Sequence, residues 1–123
     1  MYVPEVVEEY CRERVMVSEW IQGFKITDVE QMRRNNFDKK QIMNHLIRAF
    51  AEQIFVTGFI HCDPHPGNVL VRPHPKHKKQ HQLVILDFGL CLPISDSFRV
   101  SYARFWTHMF ANDVGIRLRR PRE

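Results

Sequence analysis

Apolar residues at positions 42, 43, 46, 47, 50, 54 and 55 recur three and four apart, the spacing that lines one face of a helix. Asp38 stands where a cap would, and Gly58 where a helix would end, so the pattern predicts a helix over about 39–57. Upstream, Thr27-Asp-Val-Glu30 has the layout of a capping box with Thr27 as the cap, and predicts a short helix ending near Asn35-Asn36. Other runs alternate or concentrate β-branched residues. Val15–Ile21 reads as a mostly buried strand, and Val69–Arg72 and Leu83–Leu86 as two shorter ones. Pro73–Gln82 between the last two is polar and cationic, which predicts a hairpin over 69–86 with an exposed loop. Residues 2–9 mix valines with Pro4 and glutamates and suggest an extended edge, and Arg12-Glu-Arg14 a turn. Beyond Gly89, Phe98, Tyr102, Phe105, Trp106, Met109 and Phe110 predict a helix over about 96–112, capped by Ser95 or Asp96. Its aromatic stripe reads as core, or as a face covered by parts outside this chain. Arg117–Arg122 reads as frayed. The sum is an α+β pattern.

Composition narrows this only a little. One domain's worth of chain, 123 residues with 44% apolar, can bury a core. The net charge of +4 suits anionic ligands or a lipid surface without choosing between them. Cys11, Cys62 and Cys91 are an odd set without paired spacing, and read as reduced thiols in an intracellular compartment. No run approaches the roughly 18 apolar residues of a membrane span. Met1-Tyr-Val-Pro-Glu5 lacks the layout of a signal peptide.

The chemistry gathers in Phe59-Ile-His-Cys-Asp-Pro-His-Pro-Gly-Asn68 and in Leu86-Asp-Phe-Gly89. Prolines fix the backbone and glycine frees it, so 59–68 is a loop whose course is dictated. A hairpin with Asn68 at its start and Asp87 at its end points two oxygen donors to one place. Magnesium takes hard oxygen ligands and shares its remaining positions with water and phosphates. Asp63 is placed to orient a hydroxyl nucleophile or accept its proton. Gly89 lets the chain turn after Asp87. His74, His77 and His81 with Lys76, Lys78 and Lys79 read as a solvated loop.

His61-x-Asp63-x4-Asn68 followed by Asp87-Phe-Gly89 resembles the catalytic loop and DFG of protein kinases. The wording Asp63-Pro-His-Pro-Gly-Asn68 is more specific and resembles the UbiB/AarF-domain (ADCK, ABC1-type) atypical kinases. Val3-Pro4, Arg14–Gly23 and the passage from Gly89 into an aromatic-rich helix are similar to that family too, so the likeness covers roughly 3–112. It implies a partial kinase-like fold, mainly the helical C-lobe, with a hinge strand at about 14–23, the catalytic loop at 59–68 and the DFG at 87–89. It implies Mg²⁺ and ATP as cofactors: Asp63 catalytic, Asn68 and Asp87 on the metal. Ser18 would take the gatekeeper position, the backbone of Glu19 and Ile21 would face the adenine edge, and Leu70 would lie under the base. His61, His65, Gly67, Phe88 and Gly89 would shape the loop, His61 by bonding the DFG turn.

The departures are His65, where a typical protein kinase carries Lys, and the lack of an Ala-Pro-Glu segment. A phosphate loop, a strand lysine with its helix glutamate and a Lys-x-Gly-Gln segment are also missing. The chain therefore reads as a piece of a kinase or ATPase domain, expected to be inactive alone for want of an N-lobe. The resemblance implies lipid or isoprenoid-quinone partners, no nucleic acid, and a mitochondrial location in a eukaryote. Membrane association is not evident from the chain. Alternatives are a non-catalytic kinase-like regulatory or interaction domain, and a small-molecule phosphotransferase of the aminoglycoside or choline type.

Overall fold

Backbone hydrogen bonding organises the protein around one hairpin. The structure is a computed structural model and describes residues 1–77 and 79–113. Arg117–Arg122, expected to fray, lie outside the described residues. The element order is β1 (Phe24–Lys25), α1 (Val29–Arg34), α2 (Lys39–Glu52), β2 (Phe59–His61), β3 (Val69–Pro73), β4 (His81–Ile85), β5 (Cys91–Pro93) and α3 (Asp96–Asp113). One antiparallel sheet has the order β1-β3-β4, and β2 pairs with β5 in a second. This is an α+β arrangement.

The hairpin register sets Val69 opposite Ile85 and Val71 opposite Leu83. Val69, Val71 and Leu83 pack with Met32, Phe37 and Ile42, flanked by Phe24, Ile26 and Leu46. The core thus lies between one face of β1-β3-β4 and the two helices, α1 and α2, that precede the loop. Ile42, the first apolar residue of the α2 stripe, is fully buried. Val84 points to the other face and is fully buried as well. Tyr2 bridges in parallel beside it, its N–H donating to Leu83 O at 2.8 Å and its carbonyl accepting from Ile85 N at 3.0 Å.

Helix boundaries follow side-chain chemistry. Asp38 caps α2 by accepting from Lys40 N at 2.7 Å. Asp28, not Thr27, caps α1, its Oδ1 accepting from Gln31 N at 3.0 Å. The carboxylate one residue on reaches the first free N–H groups, so the capping box shifts by one position. Asn36 (φ 54°) turns the chain out of α1. The α2 backbone widens to a π turn over Gln53–Thr57 and ends at Gly58 (φ 69°), whose left-handed conformation glycine adopts without strain.

Three further expectations are corrected. The 15–21 segment is not a buried strand. It is extended backbone held by isolated bridges, with Val7 N–H donating to Val17 O and Glu19 N–H to Glu5 O, both at 2.8 Å. Ile21 is buried, but Met16 is exposed and Trp20 is 87% exposed. Residues 5–7 are its hydrogen-bonded partner, so β-propensity yields extended backbone without burial. His81 is not in the solvated loop: it begins β4, half-buried against Phe37 and His45. The stripe on α3 is not core among the described residues. Phe98, Phe105, Met109 and Phe110 are exposed, while Tyr102 stacks on Phe55 and Arg99 donates to the carbonyls of Phe55 and Val56 at 3.1 Å. Ser95 caps this helix by accepting from Phe98 N.

Candidate functional site

His61 ties the loop to the Asp87 turn. It is 3% exposed, at the end of β2, with its N–H donating to Gln53 Oε1 at 2.8 Å. Asp63 N–H lies 3.2 Å from His61 Nδ1, and His61 Nε2 lies 2.6 Å from the Asp87 carbonyl. An N–H donated to Nδ1 makes that nitrogen the acceptor, so the ring proton sits on Nε2 and is donated to Asp87 O. One neutral imidazole thereby satisfies the backbone of both acidic residues. Phe50 and Phe88 meet its ring edge-on, with centroids at 6.2 and 5.2 Å.

After Asp63, the two prolines and His65 shape the loop. His65 Nδ1 accepts from Gly67 N at 3.0 Å, and a Cβ at Gly67 would come within 2.9 Å of that nitrogen. Asn68 N–H donates to His65 O at 2.9 Å, closing a 3-10 turn over Pro66–Asn68. The turn feeds directly into β3. Asn68 O accepts from Leu86 N at 2.8 Å, which continues the β3-β4 register and sets Asn68 diagonal to Asp87. Asp87 Oδ1 accepts from Gly89 N at 2.9 Å, leaving Oδ2 for another partner. A side chain at Gly89 would press on that carboxylate at 3.1 Å.

Beside this turn opens a cavity of about 1430 Å³. Ser18, Glu19, Ile21 and Leu70 line it together with Asp87, Phe88 and Gly89. The cavity brings the residues expected around a base to the residue expected on a metal. Asp63, His65 and Asn68 are not in its lining. Asp63 is joined to Asp87 by the His61 bridge, and Asn68 is bonded to Leu86, the residue before Asp87. The Glu19 N–H is already donated to Glu5. Its carbonyl and the Ile21 N–H have no hydrogen-bond partner among the described residues.

Among the described residues no group of three or more His, Cys, Asp or Glu could hold a metal ion. Asn68 and Asp87 supply hard oxygens of the type magnesium takes when phosphates and waters complete its shell. The donor set therefore fits a metal bound together with a phosphate ligand. It fits a self-sufficient protein cage poorly.

Several residues had no signal in the sequence. Gln53 orients β2 from the π turn. Tyr2 donates to the Glu19 carboxylate, and Arg72 stands 3.8 Å from the same group. Their partners lie too far along the chain for any local pattern to link them.

Comparison with known proteins shows the family of the chain. The ABC1 atypical kinase-like domain matches residues 1–116. The chain is 37% identical to an ABC1 family protein of Purpureocillium lilacinum, over 100% of its own length and 23% of the relative's. It is 40% identical to AarF domain-containing protein kinase 1 of Xenopus laevis, over 90% of the chain and 21% of the relative. A probable serine/threonine-protein kinase of Dictyostelium discoideum is 37% identical over 88% of the chain and 16% of its own length. The chain thus spans about a fifth of the length of the curated relatives it matches.

Proposed function

We propose, for a chain that belongs to the ABC1 atypical kinase-like family, that its loop and cavity hold Mg-ATP for phosphoryl transfer or ATP hydrolysis. The observation that carries this reading is the His61 bridge. It locks the Asp63 N–H and the Asp87 carbonyl to one ring, while Asn68 accepts from the N–H of Leu86, the residue before Asp87. Asp87 lines a cavity wide enough for a nucleotide, and the loop that carries Asp63 and Asn68 is fastened to its turn.

In this reading the chain contributes the C-lobe side of a kinase-like site. Asn68 and Asp87 ligate the metal, which supplies neutralisation of phosphate charge when bound. Asp63, exposed and fixed through its own N–H, orients the attacking hydroxyl or water and accepts its proton. Leu70 and Ile21 bracket the base, and the 15–21 segment serves as the hinge. His65 and Gly67 keep the loop in shape, and Phe88 and Gly89 set the direction of Asp87. The Asp63-Pro-His-Pro-Gly-Asn68 wording and the family match favour this over an aminoglycoside- or choline-type phosphotransferase.

The melting temperature of the protein with ATP plus Mg²⁺, against ATP plus EDTA, tests the binding reading. A magnesium-dependent rise is expected. Equal melting in the two conditions would remove it. A rise without ADP formation in any protein carrying this segment would favour the non-catalytic alternative. Where there is turnover, Asp63→Asn is expected to lower it by about 10²-fold or more with ATP affinity retained.

The resemblance further supports a role in isoprenoid-quinone or lipid metabolism, in mitochondria in a eukaryotic cell. Unchanged quinone and lipid pools after loss of the gene would contradict that role. No helix among the described residues is long and apolar enough to cross a membrane.

A further inference from the structure

Behind the cavity wall lies a polar cluster that the nucleotide reading does not use. The Tyr2 hydroxyl donates to Glu19 Oε2. Arg72 NH1 stands 3.8 Å from Glu19 Oε1, and the Arg72 guanidinium lies over the Tyr2 ring at 4.5 Å from its centroid. Arg72 Nε donates to Gln82 Oε1 at 2.9 Å, which fixes the guanidinium on the hairpin. The Arg72 side chain is only 14% exposed, so this ion pair is less screened than a surface one. Tyr2 is itself fastened to β4 through its N–H and carbonyl.

Three separate stretches therefore meet on one carboxylate: the N-terminus, β3 and the cavity wall. The hydrogen bond to Glu19 holds the Tyr2 hydroxyl above its ordinary pKa, as expected where a carboxylate accepts from it. Isolated bridges are all the ladder the 15–21 segment has, so its position depends on such side-chain ties.

We propose that Tyr2 and Arg72 are positioning residues for the base of the bound nucleotide. They clamp the Glu19 side chain to the hairpin and so present the Glu19 carbonyl and the Ile21 N–H to the edge of a purine. The Glu19 carboxylate faces the clamp rather than the ligand. This rests on the nucleotide reading above. It adds that selectivity for the base is set from outside the cavity.

The test compares Kd for Mg-ATP, Mg-GTP and Mg-tripolyphosphate in wild type, Tyr2→Phe, Arg72→Gln and Glu19→Gln. Tyr2→Phe and Arg72→Gln are expected to weaken ATP roughly five- to tenfold and to narrow the ATP-to-GTP ratio. Tripolyphosphate, which has no base, is expected to bind all variants as it binds wild type. Glu19→Gln keeps an acceptor for the Tyr2 hydroxyl and is expected to fall between. If wild type discriminates ATP from GTP and the variants keep that ratio, the clamp is refuted while the nucleotide reading stands. Tripolyphosphate weakening in step with ATP would also refute it, since that marks general loosening. Wild type binding none of the three would remove the nucleotide reading and the clamp together.

Discussion

His61 carries more of the site than its lack of charge chemistry suggests. Its ring is buried and both nitrogens are engaged by backbone groups of the acidic residues it joins. His61→Ala would leave two backbone polar groups without that partner, at about 1–3 kcal/mol for each that stays dry. Urea unfolding is expected to show this as a lower midpoint with an unchanged slope. Gly67→Ala places a Cβ 2.9 Å from His65 Nδ1 and should displace the ring that accepts the Gly67 N–H. Weaker Mg-ATP binding at little change in melting temperature is the expected outcome, read by titration. The local part of this design is visible in the sequence. Prolines, Gly67 and Asn68 within one short run dictate a turn because each acts on its own backbone. Tyr2, Arg72 and Gln53 were not visible, because a tyrosine, an arginine and a glutamine acquire their roles only from partners brought in by tertiary folding.

At the scale of elements, α2 and β4 meet at a pair of histidines. The His45 and His81 rings lie 4.6 Å apart by centroid, and His81 Nε2 is buried without a hydrogen-bond partner among the described residues. Burial, and then the nearby His45, push the His81 pKa below its ordinary 6.5, partly offset by Asp38. A depressed folded pKa means the unfolded chain binds the proton more readily. The contribution is therefore full above about pH 6.5 and is lost as pH falls through the folded value. Unfolding midpoints should drop between pH 7.5 and 5.5, and His81→Gln should flatten that dependence. The turn from α2 into β2 gives a second expectation. Gly58→Ala forces a side chain into φ 69° and against Ile94 O at 3.4 Å. It should cost about 1 kcal/mol, measured as a shift in the urea midpoint, with Gly58→Asn milder. The helical stripe of α2 and its stop at Gly58 were legible because both are periodic or local signals. The 15–21 segment misled because β-branched content reports extended backbone, whereas burial depends on what lies above it.

Taken whole, the molecule has a small core beside a broad exposed apolar surface. Ile42→Ala empties the centre of that core and is expected to cost about 2–5 kcal/mol. The aromatic face of α3 lies open, with Phe110 65% exposed. The folded protein should enhance the fluorescence of an apolar dye such as ANS, and Phe105→Ser with Phe110→Ser should reduce that signal at equal helicity. Periodicity showed that this helix has an aromatic side. It could not show that the described residues leave that side uncovered. The family was legible from one loop, because its order of residues is specific in a way that composition is not. The central claim is that Asn68 and Asp87 hold a metal together with ATP. Isothermal titration of ATP, with and without Mg²⁺, into wild type and Asp87→Asn measures it most directly. Wild type is expected to bind on the order of tenfold tighter or more with magnesium, and Asp87→Asn to lose that increment. An equal magnesium increment in Asp87→Asn, or none in wild type, would contradict the account.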